Sequence, residues 1–170
     1  VCSSDLPVAH SCIAGILNRV ADGTILLNSS VNSFKRLVPG YEAPVYICWA
    51  SKNRSALVRI PQINMDQPYA TRIEIRSPDS LCNPYLAFSF LLQAGFTGVV
   101  NEEPVMPPTE ENLFRLTPQE VQERGIKILP TSLDHALFNF TRSPSMPGIL
   151  NEVLIYEFAK IKSQELEQFR

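Results

Sequence analysis

The segment Arg72-Ile73-Glu74-Ile75-Arg76 has the residue types and the spacing of a charged binding surface. In a β-strand alternate side chains share a face, so Arg72, Glu74 and Arg76 should project together, with about 6.6 Å between neighbours. A carboxylate in this position can hold a cation, while the guanidiniums hold anions. The pattern also suits a solvent-facing strand whose charges neutralise one another. Spacing alone does not separate these two interpretations.

Arginine is more frequent than lysine between residues 36 and 76, and a planar guanidinium matches pairs of carboxylate or phosphate oxygens. This pattern indicates an anion-binding site, and the alternative is a set of scattered surface arginines. The arginines concerned are Arg36, Arg54, Arg59, Arg72 and Arg76.

The loop Pro39-Gly40-Tyr41-Glu42-Ala43-Pro44 presents one carboxylate between two prolines. Glu42 can serve there as a base or a cation ligand, or it can be a solvated turn residue. The sequence contains no G-x-G-x-x-G and no G-x-x-x-x-G-K-[ST], so a nucleotide would not be held by a Rossmann or P-loop device. No serine has a histidine at a spacing that indicates serine catalysis.

Composition excludes several classes of protein. Hydrophobic residues make up 45% of the 170 residues, enough for a packed core. The balance of 15 basic and 17 acidic residues argues against a strongly basic nucleic-acid binder. Four widely spaced cysteines and two histidines favour neither a zinc site nor a disulfide framework. With no basic and apolar leader at the first residues, this cysteine usage predicts a cytoplasmic protein.

The order of the predicted strands and helices indicates an α+β fold, with mostly antiparallel strands followed by helices. The apolar stretch from Tyr85 to Val100 is interrupted and shorter than the roughly 20 residues that span a bilayer, so we predict a buried helix opened by Asn83-Pro84. The other predicted helices are Ser11 to Val20, a short one at Thr117-Pro118-Gln119-Glu120, Ser132 to Phe140, and a last one from about Ile149. The predicted strands are Val45 to Trp49, Ala56 to Ile60 and Thr71 to Arg76, with Asn32 to Gly40 as a polar loop.

The segments that carry the charged residues resemble, in order and spacing, the C-terminal half of glutamine synthetase. The match is closest to the type I enzymes of bacteria and archaea, and it covers nearly the whole chain. It implies that residues 1–170 are the C-terminal portion of a glutamine synthetase catalytic domain and part of a longer chain. The matching segments are Asn32 to Pro44, Asn53 to Ala56 with Arg59 to Pro61, Arg72 to Asp79, and Asn83 to Leu86.

The resemblance implies the ATP-dependent ligation of ammonia to glutamate through a γ-glutamyl phosphate. It further implies Mg²⁺ or Mn²⁺, a ring-shaped homododecamer with active sites between neighbours, and neither nucleic acid nor membrane as a partner. Charge develops on the transferring phosphoryl oxygens, so arginines and divalent cations would supply most of the stabilisation. By position, Arg36 and Arg76 would bind glutamate, and Arg54 and Arg59 would bind phosphates. Arg72 would lie at the nucleotide, and Glu74 would bind a metal ion. Glu42 would lie on a flap, where it would bind and deprotonate ammonium. Of these, Glu42 and Arg54 are the implied catalytic residues.

Two other interpretations remain. One is a glutamate–amine ligase of the γ-glutamyl-polyamine type, which would share the ATP and glutamate sites. The other is a catalytically dead structural relative. The presence of Lys35, Arg36 and Glu42 favours glutamine synthetase over both. Because one carboxylate, Glu74, cannot fix Mg²⁺ by itself, we expect the 170 residues alone to have no ligase activity.

Overall fold

The computed structural model of the chain describes residues 5–40, 43–61 and 72–169. Within these ranges it contains a four-stranded sheet and six α-helices, which confirms the predicted α+β class. The helices are α1 (Asp5–Leu27), α2 (Val31–Arg36), α3 (Pro84–Val100), α4 (Pro118–Glu123), α5 (Leu133–Arg142) and α6 (Glu152–Phe169). The strands are β1 (Tyr46–Ala50), β2 (Ala56–Arg59), β3 (Glu74–Ile75) and β4 (Lys127–Ile128), and Leu113–Arg115 and Met146–Gly148 form 3₁₀ turns.

The sheet has the strand order β3-β2-β1-β4. The outer pairings, β2 with β3 and β1 with β4, are antiparallel, whereas the central strands β1 and β2 pair in parallel. Arg59 of β2 lies directly opposite Glu74 of β3 in this register. The sheet therefore brings together two charged residues that stand 15 positions apart in the sequence.

Several predicted elements are confirmed, and their caps explain where they begin. Asn83 caps α3 by accepting hydrogen bonds from the backbone N–H groups of Tyr85 and Leu86, with Pro84 as the first helical residue. Thr117 and Glu120 form a capping box at the start of α4. The predicted strands at Val45 and Ala56 are also present, with ends shifted by one residue.

Two predictions about the first half of the chain are corrected. The polar loop predicted from Asn32 is helix α2, because Ser30 and Ser33 form a capping box that offsets the poor helix propensity of the segment. The first helix, predicted as Ser11 to Val20, extends over the 23 residues of α1. Two helices therefore precede the strands, of which the first was predicted and the second was not.

Helices α1 and α3 approach each other closely where glycines replace larger side chains. A Cβ atom added at Gly15 would lie 2.3 Å from the carbonyl oxygen of Ala94, and one added at Gly98 would lie 2.2 Å from the carbonyl oxygen of Ser11. The ring of Phe90 similarly occupies the space beside Gly23. The two backbones thus pack at a distance that only glycine permits at these positions.

The prediction that α3 is buried on all sides is wrong. Its inner face is buried, but its outer face forms an apolar stripe with each side chain at least 62% exposed. Among the described residues, α1 is the main helix packed against α3, and it covers one face only. The residues of the stripe are Tyr85, Phe88, Leu92, Phe96 and Val100.

Strand β1 is buried along its whole length and forms the centre of the core. Its Cys48 is fully buried, and burial raises the pKa of this thiol to about 11 although hydrogen bonds with Leu57 and Thr109 oppose the shift. Cys48 is a free thiol, as are Cys12 and Cys82. In the described part of the chain, no helix combines the length and the apolar character needed to cross a membrane.

Candidate functional site

Glu74 lies between two guanidiniums at the edge of the sheet. Its Oε2 accepts a hydrogen bond of 2.7 Å from Nη2 of Arg59, and its Oε1 lies 3.3 Å from Nε of Arg76. The three side chains are between 20% and 32% exposed, so ligands from solvent can reach them. Glu74 and Arg76 share a face, as predicted, and β2 adds a second arginine. The surface that results carries an excess of positive charge.

The loop that carries Arg54 is tied to this cluster. Nη1 of Arg76 donates a hydrogen bond to the backbone carbonyl of Arg54, and the backbone N–H of Arg76 donates to the carbonyl oxygen of Leu57 at 3.0 Å. The Arg54 residue itself is exposed. The structure thus brings Arg54, Arg59, Glu74 and Arg76 to one edge of the sheet, where fixed cations can meet an anionic ligand.

Arg36 lies beside the same segment, at the C-terminal end of α2. Its Nη2 donates to Oδ1 of Asn28 at 3.0 Å and to the carbonyl oxygen of Ser77 at 2.5 Å. Burial raises the pKa of nearby Asp79, but hydrogen bonds from Leu81 and Ser33 and the charge of Arg36 outweigh it, so the pKa of Asp79 lies below its ordinary value. Arg36 is therefore fixed next to the segment that follows β3 and carries Arg76.

Four buried polar side-chain atoms in this region have no hydrogen-bond partner among the described residues. They are Nε of Arg36, Nε of Arg59, Nδ2 of Asn28 and Oγ of Ser77. Buried polar groups normally find a partner, and each exception calls for a water molecule or a ligand. Their positions around the predicted anion site are consistent with a polar ligand there.

A cleft of about 280 Å³ opens next to Arg54. It is lined by residues 52–55 of the β1–β2 loop and by Glu110, Asn112 and Phe114 of the segment before α4. Lys52 and Arg54 give this cleft two cationic side chains on its loop side. Its size accommodates a few phosphate groups but not a whole nucleotide in an enclosed cavity.

Sequence reasoning missed the residues that fix this loop. The carboxylate of Glu110 accepts hydrogen bonds from the backbone N–H groups of Ser51 at 2.7 Å and Lys52 at 3.0 Å. Desolvation raises the pKa of Glu110, but hydrogen bonds from the backbone N–H groups of Ser51, Lys52 and Asn53 and from the Ser51 side chain together outweigh it, so the pKa lies below its ordinary value. Asn53 carried a local signal, since an asparagine side chain readily accepts a hydrogen bond from the backbone N–H two residues further on, as it does here from Ser55. No signal in the sequence linked that turn to Glu110, 57 positions beyond Asn53.

Two predicted site residues are not placed by these contacts. Glu42 lies outside the described residues. Arg72 is exposed and precedes β3, so the predicted strand from Thr71 is shorter within the described range than expected. In residues 5–40, 43–61 and 72–169, no group of three or more histidine, cysteine, aspartate or glutamate side chains is close enough to hold a metal ion.

The charged residues Arg54, Arg59, Glu74 and Arg76 thus lie at one edge of the sheet of an α+β fold. Residues 3–170 match the family model of the glutamine synthetase catalytic domain, so the chain belongs to the glutamine synthetase family. It is similar to glutamine synthetases of Methanosarcina mazei (42% identity over 158 residues), Methanococcus maripaludis (41% over 171) and Mycolicibacterium smegmatis (43% over 163). These alignments cover 93%, 99% and 96% of this chain but 35%, 38% and 36% of the relatives. The family resemblance inferred from the motifs is thereby confirmed, and the chain spans just over a third of the length of these relatives.

Proposed function

We propose that these residues form the C-terminal portion of the catalytic domain of an enzyme that ligates ammonia to glutamate with ATP, giving glutamine. The observation that carries this proposal is the carboxylate of Glu74 held between Arg59 and Arg76, with the Arg54 loop bonded to Arg76. Family membership supports the same reaction, since the three relatives named above are glutamine synthetases.

The proposed reaction has two steps, and the arginines serve both. First, an oxygen of the glutamate γ-carboxylate attacks the γ-phosphorus of ATP, and the bond to ADP breaks. Ammonia then attacks the γ-carbonyl carbon, and inorganic phosphate leaves. Arg54 and Arg59 would hold the phosphoryl oxygens, where their charges matter most as negative charge develops. Arg36 and Arg76 would hold glutamate, Arg72 would lie at the nucleotide, and Glu42 would bind and deprotonate ammonium.

A divalent cation, Mg²⁺ or Mn²⁺, belongs to this proposal as the group that neutralises charge between the phosphates. The described residues do not by themselves fit such a centre, because they offer Glu74 without the further oxygen ligands that octahedral coordination demands. We propose that Glu74 would be one ligand of this cation, which would neutralise negative charge on the phosphates. The remaining ligands would come from outside the described residues.

The assembly and the compartment belong to the proposal as well. We propose a homo-oligomer, a ring-shaped dodecamer by analogy with the family, with no nucleic acid or membrane as a partner. The free thiols of Cys12, Cys48 and Cys82 support a reducing compartment, and we propose the cytoplasm.

The test is glutamine formation by the protein expressed from its complete reading frame, given glutamate, ammonia, ATP and Mg²⁺ or Mn²⁺. Glu74→Gln keeps the shape of the side chain but removes its charge, so we expect the rate to fall by about 100-fold and half-saturation to need more metal. Mn²⁺ binding followed by electron paramagnetic resonance should weaken in parallel. The matched control is Glu111→Gln, whose carboxylate pairs with Arg124 on the surface and should leave both measurements unchanged.

The outcomes separate the proposals. Normal turnover and normal Mn²⁺ binding in Glu74→Gln would favour the alternative interpretation, in which the strand faces solvent and its charges only neutralise one another. Turnover with larger amines but not with ammonia would assign the protein to the glutamate–amine ligases. No turnover with any amine in the unmodified protein would favour the catalytically dead relative.

A further inference from the structure

The loop that carries Arg54 is held by hydrogen bonds to a segment that lies much later in the sequence. Residues 51–55 connect β1 to β2, and residues 109–113 precede α4. Thr109 joins the two segments through its backbone N–H, which donates to the carbonyl oxygen of Trp49 at 2.9 Å. The connection therefore begins at the end of β1, before the loop departs from the sheet.

Asn53 provides the buried part of this connection. Its Nδ2 donates to the carbonyl oxygens of Thr109 (2.9 Å) and Glu111, and its Oδ1 accepts from the N–H and the hydroxyl of Ser55. The Ser55 hydroxyl oxygen in turn accepts from the N–H of Leu113 at 3.1 Å. The hydrogen-bonding capacity of the Asn53 amide is fully used, so the side chain flanking Arg54 has one orientation.

Glu110 provides the charged part. One oxygen of its carboxylate accepts from the N–H of Ser51 and the other from the N–H of Lys52. A carboxylate that lines a cleft for anions would ordinarily oppose binding by like-charge repulsion. Here its two oxygens are occupied by N–H groups, so part of its charge is offset and the loop is fixed at the two residues before Asn53.

We infer that Glu110 is a positioning residue, which holds the 51–55 loop so that Arg54 faces the phosphate groups of the bound nucleotide. The inference rests on the proposed function, because that function gives Arg54 its ligand. Holding the backbone that carries this cationic side chain in place before the ligand arrives reduces the conformational entropy lost on binding. Glu110 touches neither substrate nor reacting atoms in this scheme, and it acts through the backbone of Ser51 and Lys52.

The experiment measures ATP binding by calorimetry in the protein expressed from its complete reading frame. We expect Glu110→Ala to weaken ATP binding by about 5- to 10-fold, and Glu110→Gln by less, because its amide oxygen can still accept one of the two N–H groups. Glu110 is exposed, so truncating it should leave the fold intact. The control is Glu111→Ala, the adjacent carboxylate that pairs with Arg124, and it should bind ATP normally.

A double variant tests the route of the effect. If Glu110 acts through Arg54, then Glu110→Ala combined with Arg54→Ala should bind ATP no more weakly than Arg54→Ala alone. Hydrogen exchange supplies a readout that does not depend on the ligand, since the N–H groups of Ser51 and Lys52 should exchange faster in Glu110→Ala than in Glu111→Ala. The inference would be overturned if the two single-variant losses of ATP affinity multiplied in the double variant. Normal ATP binding in Glu110→Ala would also overturn it. No ATP binding in the unmodified protein would instead overturn the proposed function, which the exchange rates do not test.

Discussion

Arg19 of α1 and Glu103 form a largely buried ion pair. Nη2 of Arg19 lies 2.6 Å from Oε1 of Glu103 and Nη1 lies 3.0 Å from Oε2, while Nδ2 of Asn18 also donates to this carboxylate. Both partners of the pair are 15% exposed. The hydrogen bonds and charge of Arg19 hold the pKa of Glu103 below its ordinary value, although burial opposes this. The pair joins α1 to the residues that follow α3.

The lowered pKa gives a pH dependence with a definite sign. Because the folded pKa lies below the unfolded value of about 4.3, the contribution of Glu103 to stability is fully present above that value and is lost as the pH falls through the folded pKa. We expect Glu103→Gln to lower the free energy of unfolding by about 1 to 3 kcal/mol at pH 7 and by much less near pH 3. Urea denaturation at the two pH values measures this difference.

The control for that measurement is Glu157→Gln. Its carboxylate lies 4.0 Å from Lys160 and both side chains are more than half exposed, so we expect little change at either pH. An equal loss of stability at pH 3 and pH 7 in Glu103→Gln would contradict the electrostatic explanation and leave only a packing effect.

The residues of the candidate site could be predicted to different degrees. The alternation of Arg72, Glu74 and Arg76 placed charge on one strand, and the motif order identified the family. The pairing of Arg59 with Glu74 could not be read from the sequence, because it depends on the register between β2 and β3. The contacts of Glu110 depend on a long-range approach of two loops, for which the sequence has no periodic signal.

At the scale of elements, the crossing of α1 and α3 depends on Gly15 and Gly98. Replacing either glycine by alanine raises helix propensity by about 1 kcal/mol. Against this, the added methyl group would lie within 2.3 Å of a backbone carbonyl oxygen, and backbone cannot move aside as a flexible side chain can. The helices would have to separate along the crossing.

We therefore expect Gly15→Ala to lower the free energy of unfolding by about 1 to 3 kcal/mol despite the gain in propensity. Thermal denaturation followed by circular dichroism measures the loss. Gly148→Ala is the matched control, because a methyl group there meets no atom within 4 Å. A more stable Gly15→Ala protein would show that α1 and α3 do not approach as closely as described.

Elements with strong local signals were predicted well. Caps at Asn83, Thr117 and Ser132 marked helix starts that the structure confirms. The burial of α3 was predicted wrongly, because a helix that is apolar nearly all round reads as central whether or not its outer face is covered. Sequence periodicity gives the faces of a helix but not the neighbours that pack against them.

At the scale of the whole molecule, the outer face of α3 departs from an ordinary protein surface. Its five exposed apolar side chains follow one another along the helix, and α3 has no charged residue. A contiguous apolar patch of this kind binds hydrophobic dyes and promotes association. The stripe is therefore expected to dominate the solution behaviour of the 170 residues expressed by themselves.

For those 170 residues, we expect the fluorescent dye anilinonaphthalene sulfonate to bind and the double variant Phe88→Ser, Leu92→Gln to bind substantially less of it. The circular dichroism spectrum should be unchanged, because both side chains are more than 60% exposed. Phe138→Ser is the control, since Phe138 is also exposed but lies on α5 outside the stripe. Equal dye binding in all three proteins would mean that the stripe is not the source of the signal.

The alkylation rate of the buried Cys48 thiol reports local opening of the sheet. A pKa of about 11 leaves on the order of one thiol in 10⁴ ionised at pH 7, and the thiolate is the form that reacts with alkylating reagents. Since β1 is the central strand, reagent can reach Cys48 only when the sheet opens. The partly exposed Cys82, just before α3, carries no such protection. The ratio of the two alkylation rates thus measures how often β1 opens away from its neighbouring strands.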